Sequence, residues 1–184
     1  MIKTSKSLFL LSDINLDFLR KNIELSNSKE ISSVFCSEYS TFKKLFLMGQ
    51  KHTDFKNADF LFLWPSPEAL SDTFISLKSF DDVNEEQFKI DINRFIENVK
   101  KLSNNFEGIL LPLFSSFDDL GNIGLGNMNT SVGYSHFLYQ ANATLISELS
   151  TIKNIYIIDS GLWFKQSINP LDYKLYLRAK IPFS

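Results

Sequence analysis

Five short apolar runs, alternating with stretches of helical periodicity, constrain this chain more than any other feature. They are Leu8–Leu11, Ile31–Cys36, Asp59–Trp64, Gly108–Leu113 and Ile155–Ile158. Asp59–Trp64 (DFLFLW) is apolar almost throughout, the pattern of a strand buried on both faces of a parallel sheet. Between the runs, apolar residues recur at three- and four-residue spacing: Leu16, Leu19 and Ile23; Tyr39, Phe42, Leu45 and Phe46; Leu70, Phe74 and Leu77; Phe88, Ile92, Phe95, Ile96, Val99 and Leu102; Leu138, Ala141, Leu145 and Leu149. Strands of this kind joined through amphipathic helices make βαβ units. The expected architecture is a three-layer α/β/α sandwich around a five-stranded parallel sheet. Right-handed crossovers favour the flavodoxin-like order 2-1-3-4-5.

Punctuation supports that reading. Ser12-Asp13-Ile14-Asn15 is a tight polar turn after the first run, and Asp13 and Asn15 are common helix N-caps. Ser66-Pro67-Glu68 reads as cap, first helical residue and dipole partner of a helix reaching about Leu77. Asn84 and Gln87 form a capping box, and Gly49 is a helix stop. Phe114–Thr130, containing GNIGLGN, is expected as a long loop, followed by a helix over Ser131–Leu149. A stretch of mixed charge and many aromatics follows Leu162, with Asn169-Pro170 as a possible helix start.

The 184 residues suffice for one core, and the chain is expected to be a single domain, 1–184. A formal charge of −2 offers no footprint for nucleic acid. No run is long enough to cross a membrane, and Leu8–Leu11 is too short for a signal-peptide core. The single cysteine, Cys36, lies in an apolar run and reads as a buried thiol. A cytoplasmic protein is expected, with no cofactor and no metal held by this chain.

In the order 2-1-3-4-5 the strand order reverses between the first and third strands, and ligand crevices form at the carboxyl ends of the strands at such points. The turns Ser12–Asn15 and Trp64–Glu68 should face each other there, beside the 114–130 loop. The expected crevice residues are Ser12, Asp13, Asn15, Trp64, Ser66, Glu68, Gly126 and His136. Each also has an ordinary structural role: capping for Ser12, Asp13 and Asn15, core for Trp64, a helix-dipole contact for Glu68, turn geometry for the glycines. GNIGLGN does not follow the first strand and so is not a dinucleotide fingerprint. His52 has nothing convergent near it in sequence.

Several pieces resemble a known family. LLSDINLDFL occupies the place of the GDS block of SGNH/GDSL hydrolases. LWPSPEALSDTF (63–74), Gly124-Leu125-Gly126 with the helix His136–Asn142, NIYIIDSGLW (154–163) and DYKLYLRAKIPFS (172–184) are similar, in order and spacing, to the N-terminal SGNH-hydrolase-like domain of FkbH-like proteins. The resemblance implies that the domain precedes a haloacid-dehalogenase-type domain, which uses a DxDxT motif and Mg²⁺ to load a glyceryl unit onto an acyl carrier protein. Such proteins serve polyketide or surface-polysaccharide biosynthesis. No DxDxT occurs in this chain; Asp159-Ser160-Gly161 lacks the second aspartate. The chain therefore reads as that first domain alone.

The resemblance also implies where catalysis would sit. Ser12-Asp13-Ile14 aligned on Gly-Asp-Ser puts Ile14 at the nucleophile, and isoleucine has no attacking atom. Trp64-Pro65-Ser66-Pro67 stands where the family carries Gly-x-Asn-Asp, so the amide oxyanion donor is missing. Asp172 has no histidine three residues on. The expectation is a non-catalytic domain that docks a HAD-type catalytic domain, an acyl carrier protein or a small acyl ligand. The aromatic stretch Trp163, Tyr173, Tyr176 and Phe183 would be the seam, and Lys165, Lys174, Arg178 and Lys180 a basic edge. The alternative is a divergent esterase or acyltransferase using Ser12 or Ser115 with His136, Asp13 completing a triad. A third possibility is a free-standing polysaccharide accessory protein.

Overall fold

The computed structural model describes residues 5–26, 29–48, 57–79, 81–116, 128 and 133–166. Strands β1 (Lys6–Leu11), β2 (Ile31–Cys36), β3 (Phe60–Leu63), β4 (Gly108–Pro112) and β5 (Ile155–Ile158) form one sheet in the order β2-β1-β3-β4-β5. Every neighbouring pair is parallel. The expected α/β class, sheet and strand order are all present.

Helices α1 (Asp17–Leu25), α2 (Phe42–Met48), α3 (Pro67–Leu70), α4 (Thr73–Ser79), α5 (Glu85–Ser103), α6 (Tyr134–Leu149) and α7 (Ser160–Gln166) flank the sheet, with a 3₁₀ turn at Tyr39–Thr41. The strands alternate their side chains between two layers. Phe9, Leu11, Leu61, Leu63, Ile109 and Leu111 enter the larger core. There they meet Phe42, Leu45 and Phe46 of α2, Phe74 and Leu77 of α4, the apolar stripe of α5, and Phe137, Ala141, Leu145 and Leu149 of α6. Leu8, Leu10, Phe62 and Trp64 face the other way and pack with Ile14 and Leu16.

Nine of the 18 phenylalanines lie in the larger core. Phe46 stacks on Phe95 at 5.0 Å, and Phe95 meets the edge of Phe114 at 5.5 Å. Phe88 and Phe137 form a T-shaped pair at 4.9 Å, joining α5 to α6. Such pairs add about 0.5–1.5 kcal/mol each beyond their burial.

Three local expectations are corrected. The helix expected to run to Leu77 breaks after Leu70, because Ser71 is extended (φ −150°, ψ 137°). Its hydroxyl donates to Asp91 Oδ2 (2.7 Å) and accepts the Thr73 amide (3.2 Å), so it caps α4. The capping box is half formed: Asn84 Oδ1 accepts the Gln87 amide, but the Gln87 side chain turns to Asp91 Oδ1 instead. Helix α6 starts at Tyr134, three residues later than expected, and buries Phe137 fully beside the expected Leu138, which packs partly buried against the core. Helix α7, which no expectation covered, begins directly at Ser160, with Asp159 Oδ1 accepting the Gly161 amide at 2.9 Å. Gly49, His52, most of the 114–130 loop and the segment after Gln166 lie outside the described residues.

Candidate functional site

The carboxyl ends of β1 and β3 meet as the strand order requires. The Trp64 amide donates to Leu11 O (3.1 Å), which carries the ladder one step past the strands. Ser12, 1 % exposed, donates its hydroxyl proton to the Trp64 carbonyl and accepts the Ile14 amide at 3.1 Å. The next residue bridges to the third strand as well. Asp13 accepts the Ser66 amide on Oδ1 (2.6 Å) and the Ser66 hydroxyl on Oδ2 (2.5 Å). Ser66 Oγ in turn accepts the Ala69 amide at 3.3 Å, capping α3 as its sequence context suggested. Two adjacent residues of one turn therefore tie β1 to β3, one through a hydroxyl and one through a carboxylate.

This corrects the capping roles. Asp13 does not cap α1; it holds the turn that begins α3. Nor does Asn15: Leu16 stands at the cap position without a side-chain cap, and Asn15, one residue earlier, closes the turn, its Oδ1 accepting the Asp17 amide at 2.9 Å.

Burial raises the Asp13 carboxyl above the ordinary aspartate range, against the lowering effect of both Ser66 bonds, and the charge of Glu68 adds to the rise. Glu68 goes the other way. Burial alone would raise it, but Lys78 Nζ at 2.5 Å and the Tyr134 hydroxyl at 2.9 Å outweigh that and hold it below the usual range. The Lys78 ammonium also lies 5.5 Å from the Tyr134 ring centroid. Tyr134 is fully buried, so this triad joins α3, α4 and the start of α6. Lys78 and Tyr134 were not legible as site residues: both sit in helical stretches, with no local motif to mark them.

The remaining candidates are placed separately. Trp64 is 1 % exposed and meets Phe62 and Trp163 edge-on at 6.0 and 5.7 Å, so it is a wall of the smaller core. Ser115 lies 2.7 Å from Ser160 Oγ. Ser160 spends its one proton on Leu113 O (2.9 Å), so Ser115 is the donor in that pair. Asn142 clamps the same strand end, exchanging two hydrogen bonds with the Phe114 backbone at 2.8 and 3.0 Å. His136 is half-buried in the first turn of α6, edge-on to Phe137. Among the described residues it makes no hydrogen bond to Ser12, Asp13 or Ser115. Gly126 lies outside the described residues.

A cavity of about 320 Å³ opens beside this point, at the ends of β1 and β2, lined by Asn15, Asp17, Cys36, Ser37, Glu38 and Ser40. Of the expected crevice residues it takes in Asn15 alone. Burial pushes the Cys36 thiol up to about 11, so it is neither nucleophile nor ready ligand near neutrality. Among the described residues no group of three His, Cys, Asp or Glu side chains could hold a metal ion. No helix among them is long and apolar enough to cross a membrane.

With this geometry in place, one likeness stands out. The fold is that of a solved Bacteroides fragilis protein. The match is to the N-terminal part of protein BF1531, containing a phosphatase domain and complexed with Mg, with a TM-score of 0.75 at 16 % identity. It covers 98 % of this chain and 47 % of the other, so the chain spans about half the length of that solved neighbour. No protein-family model and no curated protein matches the sequence.

Proposed function

We propose that the chain is the non-catalytic, SGNH-like N-terminal domain of an FkbH-like protein, and that it acts by docking. Its partners would be a HAD-type phosphatase/glyceryl transferase domain, an acyl carrier protein or a small acyl substrate. The observation that carries this reading is the state of Ser12. Its proton goes to an amide carbonyl, which is no base, and its lone pair takes a backbone amide, so nothing activates it for attack. Ile14, aligned with the family's nucleophile, is 1 % exposed. The likeness to a protein that contains a phosphatase domain supports the multidomain context.

The esterase alternative needs a base beside a hydroxyl. Ser115 donates to Ser160, a hydroxyl that is itself occupied, which is the hydrogen bonding of a structural serine. One assay separates the readings: hydrolysis of short p-nitrophenyl esters and acyl-carrier thioesters by wild type, Ser12→Ala and His136→Ala. The docking reading expects no turnover above the uncatalysed rate in any of the three. Turnover by wild type that both substitutions abolish would overturn it. Titrating a HAD-type phosphatase domain and a holo acyl carrier protein into the chain by calorimetry then tests the partner directly.

A further inference from the structure

Helix α2 turns apolar side chains both ways. Phe42, Leu45 and Phe46 enter the larger core, whereas Leu47 is 67 % and Met48 42 % exposed. These two form one lip of a groove between α2 and α5, floored by the stacked pair Phe46 and Phe95. Two cavities, of about 200 and 330 Å³, follow one another along it and share Phe46, Leu47 and Asn98. The first ends at the helix break of Ser71, the second at Asn104 and Asn105, where α5 stops. The exposure of Leu47 and Met48 shows that the groove opens to solvent.

Most polar groups along this groove are donors without partners. Lys43 stands one turn before Leu47 on α2, and Arg94, Asn98 and Lys101 follow one stripe of α5. Among the described residues neither Lys43 nor Lys101 makes an ion pair, and the Asn98 and Asn104 carboxamides have no hydrogen-bond partner. Asn105 Nδ2 is buried without an acceptor. Two carboxylates line the end near Ser71. Asp91 is taken up by the Ser71 hydroxyl, the Gln87 amide and Arg94, at 2.7, 2.8 and 3.7 Å. Only Asp72 is left to oppose the lysines. Ammonium and carboxamide donors beside exposed aliphatic side chains suit a partner that brings acceptors and apolar groups together. A purely apolar segment would bury the donors unpaired, which costs stability, and a cationic one would repel the lysines.

We propose that the groove between α2 and α5 seats an acidic peptide segment of a partner protein. Its carboxylates would meet Lys43 and Lys101, and its aliphatic side chains Leu47 and Met48. This goes beyond the docking reading above, which gives partners but no surface, and it stands whether or not those partners bind.

Fluorescence anisotropy with the full chain tests it, the probe being a labelled peptide of alternating Glu and Leu. Wild type is expected to bind in the micromolar range, and more weakly as salt rises. Lys43→Glu and Lys101→Glu should each weaken binding by about tenfold. Leu47→Ser should weaken it too, through the apolar lip. Lys153→Glu is the control: the same charge change, at an exposed lysine before the edge strand β5, should leave binding as it is. A chain that binds no peptide into the hundreds of micromolar would overturn the proposal. So would equal losses in the Lys43→Glu and Lys153→Glu chains, or equal binding of a peptide with Lys in place of Glu. Anisotropy that falls again as chain concentration rises would make a second copy the occupant, and would overturn it as well.

Discussion

Asp13 and Glu68 are neighbouring carboxylates whose environments push them in opposite directions, and the consequences can be measured. Asp13 holds both donors of Ser66, so Asp13→Ala leaves a buried amide and hydroxyl without their acceptor. We expect a loss of about 1–3 kcal/mol in urea unfolding. Asp13→Asn should cost less, since one amide oxygen can still accept from Ser66. Their pH signatures differ in sign. A carboxyl raised in the fold, as Asp13 is, favours folding below its unfolded value near 3.8 and loses that contribution as pH rises through its folded value. Glu68 is lowered, so its contribution is present above 4.5 and is lost as pH falls through its folded value. Glu68→Gln should therefore destabilise the protein at pH 7 and matter progressively less in acid. A stability deficit that stays constant from pH 7 to pH 3 would contradict the Lys78–Glu68 pairing.

At the scale of the element, packing density predicts where the fold is brittle. Phe95 on α5 touches Phe46 of α2 and Phe114 beyond β4, so it joins two helices to a strand end. Phe95→Ala should cost about 3–5 kcal/mol, readable as a fall in urea midpoint. Gly108→Ala tests the opposite failure, overpacking: the new methyl must move the Phe60 ring, and we expect a loss of about 1–3 kcal/mol. Ser71→Ala removes the Asp91 bond and the α4 cap together, at a cost of about 1–2 kcal/mol. The helix break itself shows how far local pattern reaches. Leu70, Phe74 and Leu77 keep helical spacing across it, so periodicity alone runs straight through Ser71. Only Asp91, twenty residues away on α5, shows why the chain turns there.

For the whole molecule, the sheet order sets the expected hierarchy of protection. β1 and β3 are bonded on both sides and lie between two cores, whereas β2 and β5 are edges. Amide exchange followed by mass spectrometry should find the slowest amides in β1, β3 and β4, and faster ones in β2. Equal protection in β2 and β3 would mean that the β2 edge is paired or covered in solution.

The sequence by itself determined the class, the five strands and their order, because apolar runs of strand length between amphipathic stretches have few right-handed solutions. It also placed Ser12, Asp13, Trp64 and Ser66 at one point, since the switch of strand order follows from that topology. Tertiary structure alone decided what those residues do. Whether Asp13 caps its own helix or reaches Ser66, and whether Ser12 gives its proton to a histidine or to the Trp64 carbonyl, depends on contacts more than fifty residues apart. The Glu68–Lys78–Tyr134 triad arises in the same way. Local sequence sets the direction of a side chain along its own element, and only packing between elements sets what it meets.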